Sequence, residues 1–129
     1  KLRRLDEWNE QRRSHAKYYT SALSKSELTP VAVHPDAEPV WHLYVVRSTE
    51  REELQKRLTD EGIATGIHYP TPLHLQPAYK YLDIPLSALP VTERVAQEIV
   101  SLPMYPELTP VDLEAVVKTA TRTSIGVIN

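Results

Sequence analysis

Proline placement does more than any other feature to limit what this chain can fold into. The proline ring fixes φ and removes a backbone donor, so proline suits the first turn of a helix or the border of a strand and interrupts either one elsewhere. Eleven prolines fall in 129 residues and divide the chain into compartments. Pro30, Pro35 and Pro39 leave residues 25–40 as a connector, with room for a brief edge strand at Val31-Ala32-Val33. Pro70, Pro72 and Pro77 interrupt the chain again, ahead of one helical turn over 78–82. Pro90 and Pro110 stand where a first helical residue belongs, and Pro103 marks the end or the edge of a strand.

Between these breaks the periodicity is legible. Leu2, Leu5, Trp8, Ala16, Tyr19 and Leu23 recur at spacings of three and four, which predicts one long amphipathic helix over 1–24. Arg12 interrupts its apolar stripe. Arg3, Arg4, Glu7, Glu10, Arg13 and Lys17 mix both signs on the other face, as a solvated face does and a nucleic-acid helix does not. Residues 41–47 are aromatic and β-branched, the composition of a strand. Thr49 and Glu52 have the spacing of a capping box, opening a helix to Glu61 with Leu54 and Leu58 inward. Gly62 supplies the left-handed residue that ends it, which brings Ile63 against Leu58.

Residues 63–69 alternate as a strand does. Ile63, Thr65, Ile67 and Tyr69 fall on one face and Ala64, Gly66 and His68 on the other. The small residues at 64 and 66 leave room for close approach to that second face. A helix over 90–99 directs Val91, Val95, Ala96 and Ile99 inward, and a short strand follows over 99–104. Thr109, Pro110 and Asp112 open the last helix, with Leu113, Val116, Val117 and Ala120 inward. Residues 121–129 read as a frayed end or an edge strand. The predicted fold class is α/β: a two-layer sandwich with a small, mixed, three- to four-stranded sheet, helices mainly on one face, and the long N-terminal helix.

Bulk properties exclude several functions. A chain of 129 residues suits one domain, and one of this size buries roughly two-thirds of its unfolded surface. A net charge of -2 leaves no electrostatic footprint for nucleic acid or an anionic membrane. No apolar run approaches the roughly 20 residues of a membrane helix. The absence of cysteine removes disulfides and thiolate metal sites and fits a reducing cytoplasm. Three glycines are too few for a glycine-rich phosphate loop. The chain starts inside a helical pattern with no cap ahead of Lys1, so a longer protein with an upstream N-terminus is expected.

Chemistry concentrates where the 63–69 segment runs out. His68 and Tyr69 sit at its end, and His74 and Gln76 follow in the loop. His42, on the neighbouring strand, would make a third histidine. Three histidines can bind zinc, but this spacing matches no zinc pattern and no carboxylate is close by, so no metal is expected and His42 reads as a packed or edge-of-sheet residue. For His68 two readings stay open, a structural hydrogen bond and a ligand contact. No serine–histidine–acid trio is apparent, and Ser87 and Ser101 carry no signal.

The run Gly62-Ile-Ala-Thr-Gly-Ile-His-Tyr-Pro-Thr-Pro-Leu-His-Leu-Gln-Pro-Ala-Tyr79, followed by the run from Pro90 to Thr109, resembles the C-terminal part of the DegT-type nucleotide-sugar aminotransferases. The strand at 41–47 and the helix from Leu2 to Tyr18 are similar to that family's strand and inter-domain helix. The resemblance implies an aspartate-aminotransferase-like fold and a homodimer with active sites between subunits. It implies pyridoxal phosphate on a lysine of a large N-terminal domain, and amino transfer, usually from glutamate, to a nucleotide-linked keto-sugar. Residues 1–24 would then be the inter-domain helix and residues 25–129 the small C-terminal domain. None of Lys1, Lys17, Lys25, Lys56, Lys80 and Lys118 matches the family's lysine motif, so no catalytic or cofactor-binding residue is expected here and the chain alone is expected to be inactive. His68 and Tyr69 match the pair that faces the sugar nucleotide, and His74 and Gln76 lie in the same matched loop. A non-catalytic regulatory or binding module with the same fold is the alternative.

Overall fold

The computed structural model describes residues 2–122. A 3-10 turn at Leu2–Arg4 leads into helix α1 (Leu5–Leu23). Strands β1 (Thr29–Pro30) and β2 (Tyr44–Arg47) flank a long connector, and helix α2 (Arg51–Asp60) follows. Two 3-10 turns, Leu73–Leu75 and Pro77–Leu82, occupy the proline-rich loop. Helix α3 (Pro90–Glu98) runs directly into strand β3 (Ile99–Leu102), and helix α4 (Pro110–Ala120) comes last.

The sheet has the order β1-β2-β3. Tyr44 lies opposite Leu102 and Val46 opposite Val100. Side chains alternate along a strand, so these four share one face while Val45, Arg47, Ile99 and Ser101 share the other. The first face meets Tyr19 and Leu23 of α1, Leu54 and Leu58 of α2, and Leu113 and Val116 of α4 in a single apolar cluster. This is the expected two-layer α/β architecture, with one correction. Both strand pairings are antiparallel, so among the described residues the sheet is not mixed. Two helices and a loop separate β2 from β3, and the chain re-enters the sheet in the opposite sense.

Other boundaries also differ from the sequence reading. The edge strand sits at Thr29–Pro30, ahead of Val31-Ala32-Val33, and Val31 adds only one long N–H bond to Val45 O at 3.4 Å. Strand β2 begins at Tyr44 because Trp41 takes a φ of 51°, which ends extended structure there; its ring instead packs 5.3 Å from that of Tyr44. The capping box at Thr49 does not form. The neighbouring, buried Ser48 accepts the Glu50 N–H at 3.1 Å, and α2 starts at Arg51. Ala96 and Ile99 are buried as expected, but Val91 is 63% exposed. Residues 123–129, in the segment read as frayed or an edge strand, lie outside the described residues.

Local chemistry fixes the end of α2 and the start of α4. At the C-terminal end of α2, Gly62 has a φ of 74°. Its N–H donates to Thr59 O at 2.9 Å and that of Ile63 to Leu58 O at 2.8 Å, the Schellman pattern. Ile63 packs on the core beside it. Thr109 and Asp112 cap α4 reciprocally: Asp112 N–H donates to Thr109 Oγ1 at 3.2 Å, and Thr109 N–H to Asp112 Oδ2 at 2.9 Å. Hydrogen bonds from the Thr109 hydroxyl and N–H hold the Asp112 carboxyl below its ordinary pKa.

Arg12 breaks the apolar stripe of α1 for a reason. Its guanidinium donates to Met104 O at 2.9 Å and Trp41 O at 3.3 Å. One turn on, His15 Nε2–H donates to Pro106 O at 3.0 Å, and the Tyr19 hydroxyl donates to Pro103 O at 3.1 Å. Backbone carbonyls beside prolines lack ladder partners, and buried ones need donors. Burial raises the pKa of Tyr19, so it stays a neutral donor. Among the described residues, no helix is long and apolar enough to cross a membrane.

Candidate functional site

After the turn at Gly62 the chain extends along β3 but pairs with it at a single point. Gly66 N–H donates to Ser101 O at 3.2 Å and Ser101 N–H to Gly66 O at 2.8 Å. The strand expected over 63–69 is thus reduced to one bridge. Gly66 has no side chain to pack, and Pro70 ends the extension soon after.

The chain then folds back on itself. A Cβ on Gly66 would stand 2.6 Å from Cε1 of the His68 ring. The space left by this glycine is therefore filled by His68 itself. The ring's Nδ1 lies 2.9 Å from Ser101 Oγ, on the sheet face opposite the core. The His68–Tyr69 peptide bond is cis. The Tyr69 ring stands edge-on to the imidazole at 5.6 Å and is 72% exposed. Tyr69, Pro70, Thr71, Gln76, Pro77 and Ala78 line a pocket of about 490 Å³. Tyr69 and Gln76 thus share the pocket's rim, and His68 stands outside its lining, against Tyr69.

His74 turns the other way. It is buried, and its Nε2 donates to Glu93 Oε1 at 3.0 Å. The same carboxylate accepts the Ser87 N–H at 2.9 Å and the Leu89 N–H at 3.3 Å. Burial opposes the charge on Glu93, but these donors outweigh it and its pKa falls below the ordinary value of 4.5. One carboxylate therefore clasps the 73–75 turn and the approach to α3. The carboxylate's contribution is complete above pH 4.5 and is lost as the pH falls through the lower folded value. Glu93→Gln is expected to destabilise the chain at neutral pH, and this difference should vanish on acidification through that window. Denaturant midpoints of both forms against pH measure it.

Ser101 and Glu93 are the members of this site that the sequence does not announce. The available signals are a serine in the apolar run Ile99–Leu102 and an acid one turn into α3. His42 is exposed ahead of β2. Among the described residues, no three metal-ligating side chains converge.

The seat of His68 gives a steric prediction. Gly66→Ala should expel the imidazole from Ser101 without disturbing the backbone bridge. Crosslinking or NMR of His68 should then report a displaced ring, while the unfolding midpoint moves little.

A covalent cofactor anchor is not part of this site. Lys17, Lys25, Lys56, Lys80 and Lys118 are all exposed, Lys56 pairs with Asp60 at 2.7 Å, and none lines the pocket beside Tyr69. A Schiff-base lysine needs a desolvated setting that depresses its pKa. The residues present do not fit an anchor for pyridoxal phosphate.

An antiparallel three-stranded sheet backed by helices, with a His-Tyr-Pro loop against its outer edge, defines a small α/β fold. The chain belongs to the DegT/DnrJ/EryC1/StrS aminotransferase family, whose profile matches residues 1–121. It is 47% identical over 109 residues to the erythromycin biosynthesis sensory transduction protein EryC1 of Saccharopolyspora erythraea, covering 84% of this chain and 30% of that protein. It is 42% identical over 109 residues to the dTDP-3-amino-3,4,6-trideoxy-alpha-D-glucose transaminase of Streptomyces venezuelae, covering 84% of this chain and 29% of that protein. The crystal structure of S. venezuelae DesV in complex with a ketimine intermediate matches with a TM-score of 0.88 and 38% identity, over 95% of this chain and 34% of that one. The chain spans about a third of the length of the proteins it matches.

Proposed function

We propose that this chain is the substrate-side C-terminal part of a pyridoxal phosphate-dependent aminotransferase, which moves an amino group from glutamate to a nucleotide-linked keto-sugar. The family match over residues 1–121 carries this reading, because it spans both the entry helix and the His68 loop. In this reading residues 1–24 join the small domain at 25–129 to an N-terminal domain that holds the cofactor, and the whole protein works as a cytoplasmic homodimer. The amino-transfer chemistry belongs to that cofactor.

The residues of this chain bind and orient. An imidazole and the phenol packed beside it can hydrogen-bond sugar hydroxyls or phosphate oxygens. His68 and Tyr69 take that role, with Gln76 beside them across the pocket. His74 acts through Glu93, holding the loop in place. Closure of such a wall over the reacting centre excludes water.

A direct test uses the 129-residue chain and pyridoxal phosphate. No borohydride-reducible adduct at one particular lysine should form, and the chain should not transaminate. A specific adduct would overturn the division of labour.

The name of the Saccharopolyspora relative, a sensory transduction protein, supports a second reading. Here the fold serves as a non-catalytic regulatory or binding module. Titrating a dTDP-linked keto-sugar against the full-length protein, with and without glutamate, separates the two. Turnover supports the enzyme, and binding without turnover supports the module.

A further inference from the structure

His68 has one ring nitrogen tied to the sheet and the other without a partner among the described residues. The tie is rigid. Ser101 is 5% exposed, and its backbone N–H and carbonyl both pair with Gly66, which holds its Cα beside the His68 loop. Gly66 bears on the same ring from beneath, with no room for a Cβ. Two residues thus hold the imidazole from two directions.

A serine hydroxyl can donate or accept, and a neutral imidazole has one nitrogen of each kind. An unprotonated imidazole nitrogen is a stronger acceptor than a hydroxyl oxygen, so the better pairing has Ser101 O–H donating to Nδ1. The ring proton then sits on Nε2 of this exposed side chain. We infer that Ser101 is a positioning residue that fixes His68 as its Nε2–H tautomer, so that the site offers the sugar nucleotide a hydrogen-bond donor there. The ligand atom it suits is an acceptor oxygen of a hydroxyl, carbonyl or phosphate group. This inference rests on the substrate-side reading of His68.

The test reads the tautomer and the binding separately. In the full-length protein with 15N-labelled histidine, His68 is assigned by its loss in His68→Asn. Above the ordinary histidine pKa, its Nε2 should be protonated and its Nδ1 should show a hydrogen-bonded acceptor. In Ser101→Ala the two nitrogens should move toward the mixture of a free imidazole, and Ser101→Thr should restore the wild-type pattern. Run in the deamination direction with a dTDP-linked 3-amino sugar and 2-oxoglutarate, Ser101→Ala should raise the sugar KM roughly three- to tenfold, the loss of one neutral hydrogen bond, with kcat within about twofold. An identical 15N spectrum in Ser101→Ala, or a wild-type proton on Nδ1, overturns the inference. A spectrum that moves while the KM stays fixed leaves the tautomer assignment standing and removes the substrate-side reading of His68.

Discussion

Replacing His68 with alanine in the full-length protein should lower kcat/KM for the sugar nucleotide roughly ten- to hundredfold, a loss of about 1.5–3 kcal/mol, while pyridoxal phosphate affinity stays within about twofold. Three effects combine. The Nε2 is lost as a ligand partner. The Ser101 hydroxyl, 5% exposed, is left without its partner, which carries its own penalty. Tyr69 loses the ring against which its edge rests. Lys17, Lys25, Lys56, Lys80 and Lys118 are exposed and apart from the pocket, so cofactor affinity should be insensitive. Steady-state kinetics beside a cofactor titration decide the point. A fall in cofactor affinity with sugar use intact would put His68 on the wrong side of the site.

The largest effect on stability is expected at Leu58. Leu58→Ala should cost about 2–5 kcal/mol, the range for a leucine removed from a packed core. Against a total of about 5–15 kcal/mol for a domain, that is a large fraction. Leu58 is fully buried, and its carbonyl accepts the Ile63 N–H that closes the Schellman turn. Ile63 packs on the same cluster, so the cavity opens where α2 ends and the route to His68 begins. Urea denaturation should show a lower midpoint at an unchanged slope. Val111→Ala, at a site 74% exposed, should stay within about 0.5 kcal/mol.

The helices were legible because their signals are local. A 3.6-residue period, a proline at the first position and a glycine at the end lie within a few residues of what they specify. Leu54, Leu58, Leu113, Val116 and Ala120 are buried as their spacing indicates. Strands depend on partners far away in sequence. Alternation over 63–69 marks extended backbone, but pairing partners are chosen by register, and only Gly66 found one. The hydrogen bond between His68 and Ser101 joins residues 33 apart, which no local pattern encodes. Thr49 was misread because Ser48, the hydroxyl beside it, made the turn first. At His68 the structural hydrogen bond is present, made through Nδ1, and the ligand contact is the reading proposed above. The small residue at 66 pointed to the right place and the wrong occupant.

Arg12, His15 and Tyr19 fasten α1 to the carbonyls of Met104, Pro106 and Pro103, immediately beyond the strand that bears Ser101. A helix of 19 residues is a strut roughly 28 Å long. Bolted at three points between Arg12 and Tyr19, it cannot swivel independently of the sheet. Torque applied at its first turn is therefore delivered to the joint between β3 and α4, two residues from the serine that steadies the imidazole.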